Sequence, residues 1–183
     1  MSALGRNWTW IAAALAVAVV VHVASVFAVP RLIMMRTMTA IARNAGGVNR
    51  MTHGKRPTSA SRGVVRPSPD LLYSSCIFDL KAAGGALHVH AAGMPRTYWS
   101  VSLFDEDTNN FYVVNDRQAK TGSVDFIIVP PHQDKPPLGT AVRSPSERGL
   151  VLFRTLIDDE THVADIDRAR RGAACEPFSA TGP

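Results

Sequence analysis

Hydrophobic positions follow three different patterns along this chain. Residues 11–29 (IAAALAVAVVVHVASVFAV) are apolar apart from His22 and Ser25 and carry no full charge. A helix of about 20 residues, rising 1.5 Å per residue, crosses a hydrocarbon core, so this run predicts a transmembrane helix. Trp8 and Trp10 stand at its near edge, where indole rings favour the membrane interface. The run is longer than a usual signal-peptide core. Pro30 hinders cleavage after the small residues around Val26-Phe27-Ala28, so an uncleaved anchor is expected. His22 is read as a neutral side chain packed on a partner helix or tolerated in lipid, rather than as a working group.

Beyond Pro30 the spacing becomes that of an amphipathic helix. Met34, Met38 and Ile41 fall on one face, and Arg36, Thr39 and Arg43 on another. Asn44-Ala45-Gly46-Gly47 would end it. Such a helix either lies on anionic lipid beside the anchor, or simply continues the anchor or packs against the globular part. Residues 48–63 are polar, basic and aperiodic and read as a linker.

From residue 64 short apolar, β-branched runs alternate with turn residues. Strands are predicted at 71–80, 86–91, 98–104, 111–115, 124–129 and 149–157. In the fourth, Phe111, Val113 and Asn115 face one way, and Tyr112 and Val114 the other. Only residues 160–171 carry a helical pattern, with Val163 and Ile166 on one face. The expectation is a mainly β fold: an antiparallel β sandwich or half-barrel with one C-terminal helix, preceded by the transmembrane helix. The division is anchor 1–30, amphipathic helix and linker 31–63, and β-rich domain 64–183. An open sheet edge in so small a fold would want a partner.

Charge sharpens this division. The 183 residues carry +5 overall, but all nine Lys/Arg before Asp70 stand without a single acid, and the remainder carries −4. The basic character therefore belongs to the membrane-proximal third. With no nucleic-acid motif beside it, nucleic-acid binding is not expected. Arg31, Arg36 and Arg43 on the far side of the anchor lean toward a cytoplasmic C-terminal part by the positive-inside rule.

Residues 104–116 (FDEDTNNFYVVND) hold the densest chemistry. With Asp105 at position 1 of a calcium loop, Asp107, Asn109 and Asp116 fall at positions 3, 5 and 12. Position 6 is Asn110 rather than glycine, the closing acid is Asp rather than Glu, and the flanks read as strands. A hairpin turn rich in Asp and Asn is therefore the expectation. No cofactor is expected, with calcium at Asp105, Asp107, Asn109 and Asp116 as the metal alternative. His88 and His90 share a strand face and could bind a metal with a third ligand, but a solvated strand face is the expectation. His132, His162, Asp79 and Asp105 are the acceptable candidates. Arg66, Asp70 and Tyr73 enter the first predicted strand and are the candidate ligand-binding group, with a structural salt bridge as the simpler role. Cys76 and Cys175 would pair in an oxidising compartment and stay as thiols in a reducing one. No nucleophile or phosphate-binding motif is present, and no reaction is assigned.

Val65-Arg66-Pro67-Ser68-Pro69-Asp70-Leu71-Leu72-Tyr73, Asp79-Leu80, Thr97-Tyr98-Trp99-Ser100-Val101-Ser102-Leu103-Phe104-Asp105 and Asn109-Asn110-Phe111 resemble the family called domain of unknown function 1254 over about residues 64–176. The anchored form is similar to short alphaproteobacterial members. The resemblance implies a β-rich fold in the cell envelope, and hence an extracytoplasmic domain, against the charge argument. Longer members carry a second domain, of unknown function 1214. For this chain the resemblance implies a separately encoded companion of that type, besides the lipid bilayer, as partner.

Overall fold

The computed structural model describes residues 3–62, 66–119, 122–133 and 139–178. A single helix, α1 (Ala3–Ala45), runs for 43 residues. It continues through Pro30, so the amphipathic stretch prolongs the anchor, although proline cannot donate to the carbonyl of Val26. The segment beyond Pro30 is held by burial: Met34 and Met38 are 5% and 4% exposed and pack on Ile77 and Leu150. The amphipathic stretch thus spends its apolar face on the globular part. Gly46 and Gly47 then end the helix with positive φ, and the Gly47 N–H donates to the Ala42 carbonyl at 2.8 Å.

The stretch read as a linker is partly ordered into the sheet. Asn49 clamps Asp79 from both sides: its side-chain amide donates to the Asp79 carbonyl (2.9 Å) and its oxygen accepts from the Asp79 N–H (2.8 Å). Strand β1 (Met51–His53) follows and pairs antiparallel with β2 (Leu71–Asp79).

The remaining strands are β3 (Leu87–Ala91), β4 (Trp99–Asp105), β5 (Asn110–Asn115), β6 (Val124–Val129), β7 (Ala141–Arg143), β8 (Arg148–Leu156) and β9 (Ala173–Pro177). They form two sheets, ordered β1-β2-β8-β4-β5 and β7-β6-β3-β9. All pairings are antiparallel except β6 with β7. A 3-10 turn (Glu160–His162) leads into α2 (Val163–Arg170), where the sequence predicted one helix.

The inward faces of the two sheets make one core. Cys76, Phe78, Trp99, Val101, Leu103 and Phe153 from the larger sheet meet Leu87, Val89, Phe126 and Ile128 from the smaller. The Tyr112 ring points inward, 5.3 Å from Phe126, and Val113 points out, as the strand alternation requires. The Cys76–Cys175 disulfide joins β2 to β9, and so one sheet to the other. The fold is the β sandwich rather than the half-barrel.

Candidate functional site

The outer face of the smaller sheet gathers the side chains best suited to bind something. Strand β3 lies between β6 and β9. Its alternation buries Leu87, Val89 and Ala91 and turns His88 and His90 outward. Register sets Glu176 of β9 opposite His88, and Asp125 of β6 opposite His90. The contacts then run diagonally: His88 Nε2 lies 2.9 Å from Asp125 Oδ1, and His90 Nε2 lies 3.2 Å from Glu176 Oε1. The two imidazoles stack with centroids 4.7 Å apart. One donor atom each from His88, His90 and Glu176 come within 4.8 Å of one another. Val89 beneath them is fully buried, so the strand carrying both imidazoles is fixed from below.

A second polar cluster lies where α2 meets the β1–β2 edge. Arg170 is 1% exposed. Its guanidinium donates to the Tyr73 carbonyl (2.7 Å), Ser74 Oγ (3.1 Å) and the Gly54 carbonyl (2.7 Å), and pairs with Asp167. Burial pulls Arg170 below its ordinary pKa, and Asp167 opposes that. His53 Nδ1 lies 2.9 Å from Ser74 Oγ. A groove of about 490 Å³ runs beside this cluster, lined by Lys55, Leu72, Glu160 and Asp167 among others. Arg56 and Glu160 bridge it with two hydrogen bonds of 2.8 and 2.7 Å. Every nitrogen of the Arg170 guanidinium is committed to the fold, and the cluster reads as a socket for α2.

The sequence-predicted groups are placed as follows. Arg66 and Asp70 are exposed, and among the described residues no ion pair joins them. The Tyr73 hydroxyl accepts from the Ser68 N–H (3.1 Å), and the Asp70 carbonyl accepts from the Ile157 N–H (2.8 Å). Both contacts fasten the start of β2.

In the 105–110 turn the Asp105 carboxylate accepts from the N–H groups of Asp107 (2.9 Å) and Asn109 (2.8 Å) and from the Asn109 side chain (2.9 Å). Asp107 turns away to pair with Arg31 of α1. Asp116 stands at the other end of the β4–β5 hairpin, level with Trp99, roughly 20 Å away at about 3.3 Å per residue. The four proposed calcium ligands are not brought together. The third-ligand candidates for His88 and His90 also lie elsewhere: Asp79 faces Arg148 at 3.4 Å, and His162 opens α2. Glu176 and Asp125 were missed because choosing them requires knowing which strands flank β3.

The fold defines a β-sandwich module carried on a long apolar N-terminal helix. The family model described as "Protein of unknown function (DUF1254)" matches residues 48–177, and the chain belongs to that family. The fold is similar to that of a protein from Vibrio parahaemolyticus solved by crystallography, with TM-score 0.62 and 14% identity over 84% of this chain and 37% of that one. An uncharacterised protein from Burkholderia cenocepacia aligns with TM-score 0.50 and 16% identity, over 84% of this chain and 41% of that one. This chain therefore corresponds to less than half the length of either. No curated protein matches it.

Proposed function

We propose that this chain is a single-pass inner-membrane protein whose sandwich stands on the extracytoplasmic side and serves as the non-catalytic half of an envelope assembly. The observation that carries the reading is the Cys76–Cys175 disulfide, which follows a helix of membrane-spanning length. Disulfides between structural cysteines persist in oxidising compartments and are rare in the cytosol. The opposing charge argument loses weight because Arg31 is engaged by Asp107. The companion is a separately encoded protein of the unknown function 1214 type. In support, the module matched here accounts for 37% and 41% of the two solved chains, so it occurs there alongside further structure.

Two experiments test this. Alkaline phosphatase fused after Pro183 is expected to be active, and a cytoplasmic fluorescent reporter at the same place dark; the reverse pattern overturns the topology. Crosslinking in intact cells followed by detergent purification is expected to recover a stoichiometric companion. Recovery of a lone monomer counts against the assembly.

A further inference from the structure

From the arrangement of His88, His90 and Glu176 we infer a surface site for a late first-row divalent cation of the zinc type, beyond the anchoring role proposed above. The donor set decides the class of ion. Two imidazoles and one carboxylate match the nitrogen-and-oxygen preference of zinc and its neighbours, whereas calcium and magnesium seek all-oxygen shells. Distance supports it as well. Ligands around a tetrahedral zinc, with bonds of about 2.0–2.1 Å, stand roughly 3.3–3.4 Å from one another. The His90–Glu176 approach of 3.2 Å is already at that separation, and the widest separation among the three donors is 4.8 Å. Rotation of exposed side chains closes the remaining gap without moving the strands.

The framework is rigid where a site needs it to be. His88 and His90 come from the inner strand β3, pinned through the buried Val89. Glu176 follows Cys175, whose sulfur is bonded to Cys76 on the other sheet. Asp125 Oδ1 holds the His88 ring through Nε2 at 2.9 Å, which leaves Nδ1 as the nitrogen for the ion and gives Asp125 the orienting role that carboxylates play behind metal-bound imidazoles. Three protein ligands on an exposed face leave a fourth position to water or to a donor from a docking partner.

The test uses the full-length protein in detergent, without a histidine tag, titrated with zinc chloride and followed by calorimetry. One zinc per chain is expected, with magnesium and calcium silent. His88→Ala, His90→Ala and Glu176→Gln are each expected to weaken zinc by about tenfold or more, and Asp125→Asn by less than Glu176→Gln. His132→Ala and His162→Ala are expected to leave binding unchanged. All these side chains are at least partly exposed, and circular dichroism checks that each variant folds. Absence of zinc binding in the micromolar range overturns the proposal. So does binding that survives His88→Ala and His90→Ala together, or binding lost only with His132 or His162. The topology and companion experiments do not depend on this outcome.

Discussion

Cys76 and Cys175, 99 positions apart in the chain, stand with Cα atoms 6.6 Å apart and tie the two sheets together across the core. Closing a loop of that length removes unfolded-state freedom worth roughly 4–5 kcal/mol in the chain-entropy picture. A Cys76→Ala, Cys175→Ala double variant is expected to lose stability on that scale, read from urea unfolding. In the intact protein both thiols are expected to resist alkylation until a reductant is added; labelling of freshly isolated, unreduced membranes would contradict it.

Gly149 in β8 leaves no room for a side chain. A Cβ there would lie 2.2 Å from the Phe104 carbonyl oxygen and 2.4 Å from the Phe78 ring. Neither neighbour has room, since Phe78 is fully buried and Phe104 is bonded within the sheet. Gly149→Ala is expected to cost about 3 kcal/mol, the upper end for overpacking a core. Gly84→Ala, whose Cβ meets nothing, is strained only through its positive φ and is expected to cost less.

The Arg170 socket gives stability a pH dependence. Burial raises the Asp167 pKa, but hydrogen bonds from Arg171 and Arg170 outweigh it and hold the carboxyl below its ordinary value. Its contribution is therefore complete above the unfolded carboxylate pKa and is lost as pH falls through the folded value. His53 is also lowered, by burial first and then by Arg170 and Arg171. Its contribution is complete above its unfolded pKa of about 6.5 and shrinks as pH falls toward the folded value. Both groups make the fold less stable on acidification. Asp167→Asn is expected to flatten the lower part of the curve and His53→Gln the part just below neutrality, measured by unfolding midpoints across pH. Arg170→Met takes the donor from the Gly54 carbonyl and leaves Asp167 with Arg171 alone, and is expected to cost about 3 kcal/mol.

Much of this was legible in the sequence. The runs around Phe78, Val101, Ile128 and Phe153 alternate or stay apolar long enough to declare β2, β4, β6 and β8. The strands β1, β7 and β9 are three to five residues long and lack a hydrophobic run of their own; only their partners make them strands. The continuation of α1 past Pro30 was hidden for a related reason. The burial of Met34 and Met38 is a tertiary fact, so local rules left continuation of the anchor and a separate surface helix both open. His88 and His90 announced themselves by spacing. Their acidic neighbours did not, because Glu176 lies 86 positions from His90 and meets it only through sheet order.

Docking of α1 is itself testable. Met38→Ala removes a side chain buried against Ile77 and Leu150 and is expected to cost about 2–3 kcal/mol of that contact. Hydrogen exchange should rise in residues 34–45 while β3 and β6 keep their protection. Uniform loss of protection would instead mean that the helix and sandwich unfold as one unit.

The unbroken α1 also governs reach. With residues 11–29 in a bilayer, the sandwich is gripped from Met34 onward, about 7 Å along the helix from Val29 at 1.5 Å per residue. Such a module cannot sweep a volume as a head on a slack leash does. Anchored as proposed, it would skim the headgroup layer at fixed height and encounter other molecules by lateral diffusion. The proposed companion would then have to come to the membrane plane, and the outward face of β3 would engage only what passes beside it at that level.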